Sequence, residues 1–152
     1  MFSKKKNKLF KKFNKNLPIV CITSYTVPIA KIADKYSDIL LVGDSVGPVL
    51  YGFKSTRKVG IDLIIEHAKA VVKNTKKALV VVDMPYGTYE NNPTLAYKNA
   101  MKIIKNTGAD AVKLEGGESM FEVISFLSKK KINVMGHIGM LPQSLDGKYS
   151  VY

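Results

Sequence analysis

The feature that most limits how this chain can fold is a regular alternation of short apolar runs with segments of helical period. Runs rich in Val, Leu, Ile and Ala occupy residues 19–24, 39–43, 78–83, 111–115 and 132–136. Each has the nearly continuous apolar composition of a parallel strand covered on both faces. Between the runs, Ile29, Ile32, Ala33 and Tyr36 recur at helical spacing, and so do Ile61, Ile64, Ile65 and Ala68. A third helix is punctuated at both ends, with Asn92 as cap, Pro93 in the first turn, Ala96, Ala100, Ile103 and Ile104 as the apolar stripe, and Gly108 as the stop. A fourth is expected over 118–129, through Phe121, Ile124 and Leu127. Such alternation specifies an α/β fold with a parallel sheet.

Three of the runs lead directly into an acid: Asp44 after ILLVG, Asp83 closing ALVVVD and Glu115 closing AVKLE. Acids at successive strand ends favour a (β/α) barrel, whose active site draws on many strand ends, over a doubly wound sheet. No glycine-rich phosphate fingerprint follows the first strand, where the chain reads TSYTVP, so a dinucleotide fold is not expected. A complete eightfold barrel takes about 250 residues. The expected class is therefore a partial (β/α)8 TIM barrel of five parallel strands and four helices, read as truncated, with a basic segment over 1–16 and the barrel over 17–152. Carboxylates at three matching strand ends can converge on one metal. An acid just past a strand is also a common helix cap or turn former, and for Asp44 and Asp83 the residues alone leave that alternative open.

Other groups are read more simply. Gly116 and Gly117 allow a sharp turn, Ser45 lacks the His and acid partners of a nucleophile, and His67 is expected to be structural. His137, at a strand end, faces the active rim as a substrate contact, a proton relay or a packing residue. Cys21 is expected in the core; as the only cysteine it excludes an intramolecular disulfide and agrees with a reducing compartment. No apolar stretch approaches the roughly 18 residues of a membrane span, and the start, MFSKKKNKLFKKFNKN, lacks the apolar core of a signal peptide. A cytoplasmic location is expected. The net charge is +12; seven lysines in the first 15 residues account for +7 of it and leave +5 for the rest. Without a stacking or zinc motif beside that charge, nucleic acid is not an expected partner. Arg57 is the only arginine, in a composition rich in Lys, Asn and Ile.

In order and spacing, ITSYT, LLVGDSVG, the G-x-x-S-T ending at Thr56, VVDMPYGTY, GADAVKLEGGE and VMGHIGMLPQS resemble the N-terminal half of the ketopantoate hydroxymethyltransferase family. The resemblance spans roughly residues 17–150. It implies a barrel that binds Mg²⁺ through Asp44, Asp83 and Glu115 and holds 3-methyl-2-oxobutanoate through Asp44, Ser45, Asp83 and Lys113. It implies 5,10-methylenetetrahydrofolate as one-carbon donor, 2-dehydropantoate as product on the way to pantothenate, and a homo-oligomer in the intact family. The family's proton-abstracting Glu falls beyond Tyr152. The residue types suit that chemistry: Mg²⁺ prefers hard oxygen ligands, and a cation there polarises a 2-oxo acid and stabilises its enolate. Lys113 and Glu115, two apart on a strand, face one side, so one can meet the substrate carboxylate and the other the metal. Two alternatives stay open: another enolate-forming 2-oxo acid lyase on the same barrel, and an inactive truncated remnant or half of a split enzyme.

Overall fold

The structure is a computed structural model that describes residues 4–90 and 92–146, with the side chains of residues 4–6 left aside. Five strands, β1 (Cys21–Thr23), β2 (Ile39–Val42), β3 (Leu79–Asp83), β4 (Ala111–Glu115) and β5 (Val134–His137), form one sheet whose spatial order is the order in sequence. Every neighbouring pair is parallel. A doubly wound sheet reverses its strand order at a switch point; this one never does, which is the winding of a (β/α) barrel. The helices are α1 (Lys4–Asn14), α2 (Val27–Ala33), α3 (Val46–Tyr51), α4 (Ile61–Lys73), α5 (Pro93–Thr107), α6 (Phe121–Lys129) and α7 (Pro142–Leu145).

The register sets Val42, Val82, Val112 and Val134 level with one another. Alternation from that level turns Leu40, Val42, Val80, Val82, Val112 and Leu114 toward the helices, where they form the main core with residues such as Ile64, Ala100, Ile103 and Leu127. The opposite, concave face carries Ile39, Leu79 and Val81, packed by Leu41, Ala111 and Met135. Both faces are apolar, which is why the strands read as unbroken runs. The ends of α5 follow the sequence reading: Asn92 Oδ1 accepts from the Thr94 and Leu95 N–H groups at 2.8 and 3.1 Å, and Gly108 stops the helix at φ +76.

Three expectations are corrected. On α2 and the turn that follows it the bulky members of the expected stripe point outward, Ile29, Ile32 and Tyr36 being 47, 59 and 73 % exposed, while Ala30 and Ala33 are buried. This short helix approaches the core through its smallest side chains, leaving the large ones outside. On α6, Phe121 is exposed and Val123 takes the inner position with Leu127. Cys21 is exposed, because β1 is an edge strand and Cys21, level with Ile39, shares the concave face.

The basic segment forms a helix that the charge pattern alone did not suggest. Leu9 of α1 packs against the concave cluster, and Lys12 Nζ donates to Asp38 Oδ2 at 2.7 Å, with Lys8 at 3.8 Å from the same carboxylate. A cavity of about 640 Å³ lies between Leu9, Phe10, Val81, Ala111 and Met135, toward the amino ends of the strands. Among the described residues no helix is long and apolar enough to cross a membrane.

Candidate active site at the carboxyl rim

Asp83 and Glu115 are the last residues of β3 and β4, and Asp44 stands two positions past β2, so all three carboxylates sit at the carboxyl rim of the sheet. Asp83 is level with Lys113, whose Nζ donates to Asp83 Oδ1 at 2.9 Å. The Asp44 backbone N–H donates to Asp83 Oδ2 at 3.2 Å. Gly43 keeps this corner open, because a Cβ there would lie 3.2 Å from Asp83 Oδ2 and 3.1 Å from Ser45 Oγ. Gly116, at φ +125, takes the chain sharply off β4, a conformation that glycine adopts without strain.

A buried glutamine joins the other two acids. Gln143 of α7 donates through Nε2 to Asp44 Oδ2 at 2.7 Å and to Met84 O at 3.1 Å, while its backbone N–H donates to Glu115 Oε2 at 3.0 Å. Tyr89 closes the network: its hydroxyl donates to Gln143 Oε1 at 2.6 Å and accepts from the Glu115 N–H at 3.0 Å. Both side chains are buried, at 3 % exposure for Gln143 and 1 % for Tyr89. Ser45 Oγ shares a 2.6 Å hydrogen bond with the Tyr25 hydroxyl. His137 Nδ1 lies 3.8 Å from Glu115 Oε1 and is a buried nitrogen without a hydrogen-bond partner among the described residues.

Burial dominates the electrostatics. It pushes Asp83 up to about 6 against the pull of the Lys113 ammonium, with Asp44 adding to the rise. It lifts Glu115 to about 7 against the hydrogen bond from the Gln143 N–H. Asp44 is also raised by burial, opposed by the Gln143 amide and by Lys113. His137 is lowered, by burial first and by Lys113 second, so its ring is neutral at pH 7. Burial shifts each carboxyl toward its protonated form, and a positive charge brought among them shifts it back toward the ionised form.

Among the described residues, no group of three His, Cys, Asp or Glu side chains stands as a preformed metal cage. Gln143 and Lys113 each already satisfy an oxygen of these acids. The donor set still fits a hard divalent cation: three carboxylates against one ammonium leave two negative charges that a single such ion balances, and oxygen is the ligand type Mg²⁺ selects. All five residues singled out from the sequence, Asp44, Ser45, Asp83, Lys113 and Glu115, stand at or beside this rim. His67 does not. Its Nδ1 meets Tyr25 O at 2.8 Å and its Nε2 meets the Tyr51 hydroxyl at 3.0 Å, so it ties α4 to the loop after β1.

A sequence profile of the family described as ketopantoate hydroxymethyltransferase matches residues 4–151. The chain belongs to the ketopantoate hydroxymethyltransferase family. It is 55 % identical over 129 residues to the 3-methyl-2-oxobutanoate hydroxymethyltransferase of Rhizobium etli, covering 85 % of this chain and 47 % of that one. With the enzyme of the same name from Anaplasma marginale it shares 56 % identity over 128 residues, 84 % of this chain and 46 % of the relative. The chain thus spans about half the length of the curated relatives it matches. Among solved structures, a phosphonopyruvate hydrolase in complex with oxalate and Mg²⁺ superposes with a TM-score of 0.71 at 12 % identity, over 88 % of this chain and 52 % of that one. A 2,3-dimethylmalate lyase of the PEP mutase/isocitrate lyase superfamily superposes at 0.65 and 13 % identity, over 96 % and 55 %. At such identities these two speak for the barrel fold alone.

Within this family member, Tyr25, Tyr89 and Gln143 are the rim residues that sequence reasoning passed over. Tyr89 and Gln143 lie in the segments VVDMPYGTY and VMGHIGMLPQS, so their presence was visible. Their partners were not, because the Gln143 to Asp44 bond joins positions 99 apart.

Proposed function

We propose that this chain supplies the metal- and substrate-binding rim of a 3-methyl-2-oxobutanoate hydroxymethyltransferase, with Mg²⁺ held by Asp44, Asp83 and Glu115. The observation that carries the reading is that these three acids share one rim, buried beside a single ammonium and linked through Asp44 N–H and Gln143. Mg²⁺ in that place would draw charge from a 2-oxo acid and ease loss of the proton next to its carbonyl. The chain's own residues do the rest of the work assigned to this half. Lys113 offers its ammonium to the substrate carboxylate, and its bond to Asp83 keeps it aimed at the rim. Ser45, fixed by Tyr25, presents a hydroxyl beside Asp44. His137 stays neutral and able to accept or donate one hydrogen bond at the Glu115 edge. The one-carbon donor of the reading is 5,10-methylenetetrahydrofolate, and the proton-abstracting base is assigned to no residue of this chain. A cytoplasmic homo-oligomer belongs to the same proposal; the outward apolar face of α2 is a surface that self-association would cover.

Calorimetric titration of the chain with Mg²⁺ tests the site. Asp44→Asn and Asp83→Asn each remove a negative ligand while keeping shape, and each is expected to weaken binding by about tenfold or more. In a protein carrying a complete barrel, hydroxymethyl transfer to 3-methyl-2-oxobutanoate should fall with the same two substitutions. Unchanged affinity in both variants would sink the metal assignment.

A further inference from the structure

Arg57 is the only arginine among the 24 Lys and Arg residues of this chain, and its contacts use the whole guanidinium. Arg57 lies in the 3-10 turn Thr56–Lys58 between α3 and α4. Its Nε donates to the carbonyl of Gln143, one terminal nitrogen donates to the carbonyl of Ser144 at 3.3 Å, and the other is 3.7 Å from the Asp146 carboxylate. The guanidinium lies over the ring of Tyr86, 4.3 Å from its centroid. Four contacts from one side chain need a rigid planar fork with several donors and a face that stacks; an ammonium is a point charge with neither plane nor fork.

All three polar contacts fall on α7 or the residue after it. α7 is four residues long, too short to be stable by itself. It nevertheless carries Gln143, the residue that bridges Asp44 and Glu115. The Asp146 contact alone does not explain the arginine, since a partly exposed pair at that distance is worth little and a lysine would serve it as well.

We propose that Arg57 is a positioning residue for the carboxylate rim. By clamping α7 it holds Gln143 between Asp44 and Glu115 and so sets the spacing of the two acids and their affinity for a divalent cation. The cation part rests on the functional reading above; the clamp itself does not.

Two measurements separate them. In the ¹⁵N-labelled, metal-free chain, solvent exchange of the Gln143 side-chain amide is followed by NMR in the native protein, in Arg57→Lys and in Arg57→Met. Arg57→Lys keeps charge and length, so a disrupted fold would show in Arg57→Met before it showed there. Both variants are expected to speed exchange by about tenfold or more, with no rescue by lysine. Exchange in Arg57→Lys equal to that of the native protein would overturn the clamp. The second measurement is Mn²⁺ affinity by electron paramagnetic resonance. Arg57→Lys is expected to weaken binding by about tenfold, as removal of outer-shell support does elsewhere, and Asp44→Asn to weaken it further. Equal affinity in native and Arg57→Lys proteins, with binding lost in Asp44→Asn, would overturn the proposal and leave the metal reading standing. If the native chain binds no Mn²⁺, the metal reading fails and the amide exchange alone decides the clamp.

Discussion

Buried acids line both ends of this sheet, and the two ends treat them in opposite ways. At the amino end the buried Asp34 accepts the N–H groups of Lys76, Lys77 and Ala78 at 2.8 to 2.9 Å, and the half-buried Asp110 accepts that of Val80 at 2.9 Å. Asp38 is lowered: burial pulls it up, but the hydrogen bond from Lys12, the Val20 N–H and the two lysine charges outweigh that. At the carboxyl end Asp44, Asp83 and Glu115 are equally buried and all raised. Exposure is similarly low at both ends, but Asp38 lies nearer the surface and meets two lysines and a backbone N–H, whereas the three rim acids sit deeper and share the ammonium of Lys113. Amino-end acids staple loops to strands, whereas carboxyl-end acids hold charge that the protein leaves partly unmet, the usual division of labour between the two faces of a barrel.

The largest effect should come from breaking a staple. Asp34→Ala leaves three backbone N–H groups without their acceptor and is expected to cost about 3 kcal/mol, at roughly 1 kcal/mol per bond, read from urea unfolding. A loss too small to measure would remove the distinction between the two ends.

Glu115→Gln should act in the opposite direction. Glu115 has a folded-state value of about 7 against an ordinary 4.5, so its stabilising contribution is complete below pH 4.5 and is lost as pH rises through 7. In the metal-free chain at pH 8 the neutral amide is expected to stabilise by about 1 to 2 kcal/mol, and the gain should vanish at pH 4. A destabilised variant at pH 8 would show that the rim acids are stapled after all. The native chain should likewise lose stability between about pH 4 and 7, first through Asp83 and then through Glu115, and Mg²⁺ should restore it at pH 8. A metal-free melting temperature that rises over that window would contradict the raised values.

Smallest is Lys12→Met. Lys12 is partly open to water in its pair with the buried Asp38, so about 0.5 kcal/mol is expected, with the Asp38 carboxyl titrating at higher pH by NMR. Asp38 holds stability above its ordinary range and loses it as pH falls, so the variant should differ from the native chain least in acid.

Much of this was legible because strands buried on both faces write unbroken apolar runs, and β2 to β5 fall where those runs lie. The rim acids were legible for the same reason, each closing a run, and the family resemblance supplied the roles that spacing could not. Orientation was harder. Periodicity marks two faces of α2 but does not say which is inward, and the alanines won over Ile29, Ile32 and Tyr36. The docking of α1 depends on Leu9 and on Lys12 reaching Asp38, 26 positions away, within a segment whose composition reads as a charged tail. Arg57 was noticed as a compositional oddity, while its grip on α7 is set by contacts 86 and 87 positions off.

Because spatial order equals sequence order, each new β/α unit finds its neighbour already in place, and the arc can grow in the direction of synthesis with short loops to close. Gln143 breaks that locality. Its amide reaches back to Asp44 near the start of the arc, so this bridge needs α7 in place, and a chain interrupted before α7 has its strands but not its bridge.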